Sequence, residues 1–266
     1  MKNDLFSMEN KVVIFTGGCG NLGQVMVRSL LDYGATVAVP NRSDKFDASF
    51  DEYKNAGKLK VFLADLKSTE STREAFAAIH EAYGKIDVLV NCAAYGGGAG
   101  GKSCEFRLDK VDDETWNEGI DGTIGVIFRC TREVIGYFKK QGYGNIVNVG
   151  SMYGLISPDF TIYGDDIPWS PPTYGTGKAG VRQFTRYSAA ALARDNIRVN
   201  CLTPGPFPVI TDKSNMEFIG RLQNKTMMKR TGKAEELCGA LLLLASDASS
   251  FMTATNIVVD GGMTEW

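Results

Sequence analysis

Short apolar runs alternate along the chain with longer segments in which apolar residues recur at helical spacing. The short runs are typical of buried strands and lie at 12–15, 36–39, 60–63, 88–91, 145–149, 198–202 and 256–259. Helical patterns lie between them, for example at 71–83, 126–141 and 234–244. This alternation predicts a single α/β domain over residues 1–266, with a Rossmann-type doubly wound parallel sheet and helices on both faces.

The first apolar run leads into glycines at 17, 18, 20 and 23, and a helical pattern follows at 24–33. A glycine motif of this kind becomes specific when a strand precedes it and a helix follows it. Residues without side chains let a pyrophosphate approach the backbone amides at the N-terminus of the helix. The segment therefore predicts a dinucleotide-binding site.

The end of the second strand bears on which dinucleotide is bound. NAD enzymes usually place an acidic residue there to hold the ribose hydroxyls, whereas this chain has Asn41 followed by Arg42. No carboxylate would repel a 2′-phosphate at this position, and Arg42 could bind one. The sequence favours NADP, and NAD with a solvated Arg42 is the alternative.

Tyr174 and Lys178 stand four residues apart in a segment that reads as a helix. Residues at this spacing share a helix face, and an ammonium group close to a phenol favours the phenolate. Tyr174 is therefore a candidate acid/base. An isolated Tyr-x-x-x-Lys motif is more often an exposed tyrosine with a solvated lysine, so the assignment depends on the other motifs.

Together these motifs resemble the short-chain dehydrogenase/reductase family, over about residues 8–264. The cofactor loop is matched by 16–23, the adenine-contacting segment by Ala64-Asp65-Leu66, the Asn-Asn-Ala-Gly motif by Asn91-Cys92-Ala93-Ala94, the strand ending in the catalytic serine by 145–151, the segment beside the nicotinamide by 200–205, and the C-terminal signature by 244–247 and 260–262.

The resemblance implies an oxidoreductase that moves a hydride between a nicotinamide and a carbonyl or alcohol carbon. The catalytic positions it implies are Ser151, Tyr174 and Lys178, with Thr123 where the family has its catalytic asparagine. The cofactor contacts it implies are Gly17, Cys19, Asn21, Leu22, Asn41, Arg42, Asp65, Leu66, Asn91, Ala93, Tyr174, Lys178, Pro204 and Phe207.

Four features depart from the family pattern, three at single positions and one in the spacing of two residues. Thr123 replaces the asparagine, so the sequence does not decide whether the family's usual proton relay operates. Ala94 replaces a glycine, and Val209 replaces a threonine near the nicotinamide amide. The separation of Ser151 and Tyr174 is also longer than usual. Tyr163 lies near the usual spacing but has Ile167 four residues later, where a lysine is required, so we assign the base to Tyr174.

The extra length makes 155–172 an inserted active-site loop, and 206–229 is expected to form a substrate lid. The polar and aromatic groups in and beside the insertion suit a small, polyhydroxylated, sugar-like substrate: Tyr153, Asp159, Tyr163, Asp165, Asp166 and Trp169. They are equally compatible with a solvated loop. The insertion also resembles a subset of the family near gluconate 5-dehydrogenases.

Two other function classes remain open at this point. An epimerase or lyase would use the nicotinamide transiently, and a cofactor-binding regulator would have lost turnover. Thr123 is the one feature that favours the regulator, because Ser151, Tyr174 and Lys178 are all retained.

The composition and charge of the chain limit the classes of binding partner that we expect. A net charge of −2 gives no footprint for nucleic acid or a membrane surface, and the apolar runs are too short to span a bilayer. Six cysteines without a C-x-x-C motif and the lack of a secretory leader predict a reduced, cytoplasmic protein, and one histidine gives no metal site. The resemblance implies a homotetramer formed through 126–141 and 180–193. The glycine-rich segment 96–101 is either a lip of the active site or a plain surface loop.

Overall fold

The computed structural model describes residues 5–96, 108–164 and 167–266, and seven strands form one parallel sheet within these ranges. The glycine-rich segment singled out at 96–101 lies almost entirely outside the described residues, as do Asp165 and Asp166. The strands are β1 (Val12–Thr16), β2 (Thr36–Asn41), β3 (Leu59–Leu63), β4 (Val88–Asn91), β5 (Gly144–Val149), β6 (Ile197–Pro204) and β7 (Asn256–Val259).

The sheet has the strand order β3-β2-β1-β4-β5-β6-β7. The chain therefore starts in the middle, runs outward to β3, returns to place β4 against β1, and then runs to the other edge. Val13 pairs with Val37 of β2 on one side and with Val88 of β4 on the other. The reversal between β1 and β4 is a topological switch point, where open α/β sheets form a ligand crevice at the carboxyl ends of the strands. The predicted fold class is confirmed.

The strands are apolar along their length because helices cover both faces of the sheet. In β1, Val13 and Phe15 belong to one core and Ile14 to the other, and all three are fully buried. The first core also contains Leu30 of the helix that follows β1, and the second contains Phe138 of the helix that precedes β5. Alternate side chains of β1 therefore pack against helices on opposite faces of the sheet.

The helices are α1 (Asn21–Asp32), α2 (Asp51–Asn55), α3 (Thr69–Tyr83), α4 (Asp113–Ile120), α5 (Val126–Gln141), α6 (Pro172–Leu192), α7 (Met216–Asn224) and α8 (Cys238–Ala245). The helix predicted at 234–244 is divided into a 3-10 turn, Ala234–Leu237, and α8. α6 begins with a proline, which has no backbone N–H to leave unsatisfied in the first turn.

A π-helical turn, Asp121–Gly125, joins α4 to α5 without a break. Such turns contain one extra residue per turn and are frequent at functional sites. Thr123 lies in its centre. Within the described residues, no helix is both long enough and apolar enough to cross a membrane.

Candidate active site

A cleft of about 700 Å³ opens along the carboxyl edge of the sheet, at the switch point between β1 and β4. It is continuous from the end of β2 to the start of α6. Most positions implied by the family resemblance line it: Gly17, Cys19, Asn21, Leu22, Asn41, Arg42, Asp65, Leu66, Ala93, Ser151, Tyr174, Lys178, Pro204 and Phe207. Thr123 and Asn91 do not.

The glycine turn forms the floor of the cleft where β1 meets α1. Gly17 has φ +73°, and a Cβ there would lie 2.8 Å from the backbone of Ala93. A Cβ on Gly23 would lie 2.2 Å from the carbonyl oxygen of Gly17. Gly20 caps α1 without a side-chain hydrogen bond, so the first amides of the helix have no side-chain acceptor from the cap. This cradle fits the pyrophosphate of a dinucleotide.

Two cations lie at the end of the cleft formed by β2. Arg42 and Lys45 both line it, and neither forms an ion pair in the part of the chain that the structure describes. The neighbouring carboxylate, Asp44, is paired with Lys54 at 2.9 Å. The amide of Asn41 donates to the carbonyl oxygen of Ser43 at 2.6 Å. The end of β2 therefore offers positive charge where a 2′-phosphate would need it.

The wall contributed by Asp65 and Leu66 is held by Arg129 of α5. The Nε atom of Arg129 donates to the carbonyl oxygen of Leu66 at 3.0 Å, and its two Nη atoms bind the carboxylate of Asp121, each at 2.8 Å. Nη2 also donates to the Tyr95 hydroxyl at 2.6 Å, and that hydroxyl contacts Asp121. Burial and the neighbouring carboxylate raise the pKa of Tyr95. One guanidinium thus fixes two segments that line the cleft.

Ser151 follows β5 and is nearly buried. Its Oγ accepts a hydrogen bond from the backbone N–H of Tyr153 at 3.2 Å, which caps the 3-10 turn Met152–Gly154. A hydroxyl that accepts in this way can still donate its own proton. A proton donated into the cleft can stabilise negative charge on an oxygen bound there.

Tyr174 and Lys178 occupy the first turns of α6, on the face that lines the cleft. The Nζ atom of Lys178 lies 5.9 Å from the centre of the Tyr174 ring. The lysine is 4% exposed, and its Nζ donates to the carbonyl oxygen of Val149 at 2.8 Å. An ammonium group can donate three hydrogen bonds, so this one retains donors for the ribose of a bound dinucleotide.

Thr123 is fully buried, and its side chain turns back onto its own helix. Its Oγ1 donates to the carbonyl oxygens of Gly119 and Ile120 at 2.9 and 3.1 Å. α6 crosses directly over it: a Cβ on Gly177 would lie 1.8 Å from the Oγ1 of Thr123. The π-turn is present, but the side chain at this position does not reach the cleft.

Asn91 is also fully buried rather than exposed to the cleft. Its Nδ2 donates to Oγ1 of Thr131 at 3.1 Å and to Oδ1 of Asn148 at 2.9 Å, and Asn148 in turn donates to Thr185. This chain of polar groups connects β4, β5 and α6. The side chain of Asn91 therefore supports the sheet beneath the cleft.

The insertion and the expected lid pack against each other. The Nε atom of Arg221, in α7, donates to the carbonyl oxygen of Ile162 at 2.6 Å, and Lys225 forms an ion pair with Asp159. A small third core joins them, with Ile162 and Tyr163 from the insertion and Leu222 from the lid. The two segments form one wall on the substrate side of the cleft.

Several lining residues were not singled out from the sequence: Lys45, Lys67, Tyr95, Met152, Phe218 and Leu222. Lys45 lies three residues after Arg42, so the local charge pattern could have indicated it. Phe218 and Leu222 have the spacing of one helix face, which was a usable signal. Tyr95 and Met152 are adjacent to segments that were recognised, and nothing in their own pattern distinguishes them.

Comparison with known proteins agrees with this geometry. A family model described as Enoyl-(Acyl carrier protein) reductase matches residues 19–264. The probable galactose dehydrogenase GalD of Rhizobium meliloti is 31% identical over 265 residues, which cover 96% of each chain.

Two solved structures show how far the likeness extends. A short-chain dehydrogenase from Leptospira borgpetersenii with bound NAD+ has a TM-score of 0.86 and 29% identity, covering 99% of this chain and 96% of its own. A gluconate 5-dehydrogenase from Burkholderia cenocepacia, in complex with NADP and tartrate, has a TM-score of 0.85 and 25% identity, covering 99% and 98%. With its fold, its cleft and these matches, the chain belongs to the short-chain dehydrogenase/reductase family and is an NAD(P)-dependent oxidoreductase.

Proposed function

We propose that this protein interconverts an alcohol and a ketone on a small polar, sugar-like substrate, with NADP as cofactor and Tyr174 as the acid/base. The observation that carries the proposal is the presence of Ser151, Tyr174 and Lys178 in one cleft with the glycine turn. When bound, the nicotinamide supplies or accepts the hydride. All other steps belong to the side chains of this chain.

Each of the three side chains has a distinct task. Ser151 donates its free hydroxyl proton to the substrate oxygen and holds it. Tyr174 gives its phenolic proton to that oxygen in reduction and removes it in oxidation. Lys178 keeps a positive charge beside the phenol and offers its remaining donors to the nicotinamide ribose. The floor of glycines excludes side chains from the place of the pyrophosphate.

NADP is supported by the unpaired cations at the end of β2. Arg42 and Lys45 line the cleft and can pair with a 2′-phosphate, and the position of the expected carboxylate holds Asn41. The two solved relatives described above bind different cofactors. The proposal of NADP over NAD therefore depends on the cations of this chain. NAD is the alternative.

A sugar-like substrate is supported by the substrate side of the cleft. Ser151, Tyr153, Tyr163 and Tyr174 present hydroxyl groups there, beside the apolar surface of Phe218. The relatives named for galactose and gluconate agree with such a surface. We further propose a role in carbohydrate metabolism in the cytoplasm, which fits the free thiols of the described cysteines, and a homotetramer.

One assay separates the proposed function from its competitors. Purified protein is incubated with NADPH and a panel of ketoses and sugar-acid ketones, and with NADP and the matching polyols and sugar acids. A net change in cofactor absorbance supports the dehydrogenase. Product without net change would show the epimerase, and cofactor binding with neither would show the regulator that the buried Thr123 favours.

A further inference from the structure

Two tyrosines besides Tyr174 line the substrate side of the cleft, and their hydroxyl groups bind each other. The hydroxyl oxygens of Tyr153 and Tyr163 are 2.9 Å apart. Tyr153 lies in the 3-10 turn after Ser151, and Tyr163 lies in the insertion. The pair therefore forms only because the insertion folds back over the catalytic serine.

Both phenols are kept neutral. Burial raises the pKa of Tyr153 and of Tyr163, and negative charge on Tyr174 would raise both further. Tyr153, Tyr163 and Tyr174 all line the same cleft. Either tyrosine can donate within the pair, so one O–H proton is used for the mutual bond and the other remains, while Ser170 also contacts the Tyr163 hydroxyl. The pair can donate one hydrogen bond to a ligand and accept others.

The lid fixes the position of this pair. The ring of Tyr163 packs on Phe218 of α7 with 5.5 Å between centroids, and its backbone neighbour Ile162 is bound by Arg221. Tyr163 is 6% exposed, so its hydroxyl does not point into bulk solvent. A polar group that is buried and held in this way favours ligands that can satisfy it.

We infer that the Tyr153–Tyr163 pair is a recognition site for a hydroxyl group on the carbon next to the reacting carbonyl. This inference rests on the proposed function, since Ser151 and Tyr174 must hold the reacting oxygen. A substituent on the adjacent carbon lies in the same cleft as the two phenols, and Tyr153 is bound through its backbone N–H to Ser151. The substrate class is an α-hydroxyketone and the corresponding vicinal diol. A site built to bind a substrate hydroxyl discriminates strongly against the analogue that lacks it.

The test uses two ketones that differ by that one group, cyclohexanone and 2-hydroxycyclohexanone, with NADPH as reductant. We expect wild-type kcat/KM to favour the hydroxyketone by severalfold to about tenfold, the scale of one hydrogen bond that only the hydroxyketone can make. Tyr163→Phe and Tyr153→Phe, which keep the ring packing, should each reduce that preference severalfold. kcat/KM for cyclohexanone, which lacks the hydroxyl group, should fall by a smaller factor than kcat/KM for the hydroxyketone.

A matched control removes the lid contact without touching a phenol. Arg221→Gln loosens the insertion and should lower kcat/KM for both ketones alike, which is the result expected of a merely structural role. Thermal melting and NADPH binding establish that each variant is folded.

Every outcome decides the inference. A wild-type enzyme that reduces both ketones equally well, or Phe variants with an unchanged ratio, would overturn the inference and leave the proposed function intact. Failure of the wild type to reduce either ketone or any sugar of the panel, with NADPH bound, would overturn the proposed function itself and the inference with it. The wild-type ratio is informative even if a Phe variant does not fold.

Discussion

The ammonium nitrogen of Lys178 lies 5.9 Å from the ring centre of Tyr174 and is held there by the carbonyl oxygen of Val149. The charge is therefore fixed by the end of β5, the same strand that leads into Ser151. In the part of the chain that the structure describes, this buried cation has a backbone partner and no carboxylate partner, so it retains its positive potential toward the phenol. This arrangement distinguishes Tyr174 from the other tyrosines of the cleft.

The first prediction concerns that tyrosine. Tyr174→Phe removes the exchangeable proton and little else, so we expect turnover to fall by at least about 10²–10⁴-fold while the Kd for NADPH is retained. Steady-state kinetics and fluorescence titration of NADPH measure the two effects. Tyr163→Phe is the control and should remain an active enzyme. Activity retained in the first variant and lost in the control would move the base to Tyr163.

The second prediction concerns cofactor choice. Arg42→Ala should weaken NADP binding by roughly ten- to hundredfold, because a hydrogen bond to a charged group contributes about 1.5–3 kcal/mol. NAD, which has no 2′-phosphate, should be little affected. Lys67→Ala is the control: Lys67 lines the same cleft but pairs with Glu118 at 2.7 Å, so its loss should change both affinities alike. Calorimetric titration of the wild type and both variants gives the six constants, and equal losses for both cofactors in Arg42→Ala would refute the assignment.

The third prediction concerns the pH dependence of turnover. Burial raises the pKa of Tyr153 and Tyr163 above the ordinary value near 10, so both phenols keep their protons as the solution passes from neutral to moderately alkaline pH. Neither should contribute an ionisation to kcat/KM in that range. The profiles of Tyr163→Phe and Tyr153→Phe should therefore differ from wild type in height and not in midpoint. A displaced midpoint in either variant would mean that its phenol exchanges the proton.

The fourth prediction concerns the insertion. Replacing 155–172 by a short Gly/Ser turn should leave the fold and the affinity for cofactor intact, because the insertion belongs to a separate small core and not to the two cores of the sheet. The ring of Phe218 in α7 loses its packing partner Tyr163, so kcat/KM should fall on the order of tenfold to a hundredfold and substrate use should broaden. Circular dichroism, NADPH titration and the ketone panel test the three parts. Unchanged kcat/KM and selectivity would place specificity in 206–229 alone.

The fifth prediction concerns assembly. Phe128 of α5 is 45% exposed and Tyr187 of α6 is 69% exposed, on the two helices that the resemblance assigns to a tetramer interface. Phe128→Glu combined with Tyr187→Glu places two carboxylates in the proposed interface. Burying unpaired charges raises the free energy of the assembly, so it should dissociate to roughly half its mass or less. Light scattering at micromolar concentration measures this. Leu63→Glu, at an exposed apolar position on β3, is the control and should leave the mass unchanged. A monomeric wild type would contradict the proposed tetramer.

The sheet could be read from the sequence because its strands are buried on both faces and appear as apolar runs. β4 and β7 end where the pattern predicts. β6 is longer than its apolar run, because Thr203 and Pro204 belong to the strand through their pairing with β7. The hydropathy pattern does not show where backbone pairing of this kind extends a strand.

The site was predictable to the extent that its residues form local motifs. The spacing of Tyr174 and Lys178 in the sequence identifies this pair, and the spacing of the glycines identifies the turn. The contact between Tyr153 and Tyr163 depends on how the insertion folds, and the partner of Lys178 is a backbone carbonyl. Asn91 matches a recognised motif, yet its amide is used inside the sheet, which only the packing reveals.

The close approach of Gly177 to Thr123 ties two distant stretches of the chain together. The helix that carries Tyr174 and Lys178 can lie against the π-turn only while position 177 has no side chain. A larger residue at 123 would claim the same volume, and so would any residue other than glycine at 177. Position 177 can therefore accept a side chain only if position 123 becomes smaller, whereas a smaller residue at 123 requires no change at 177.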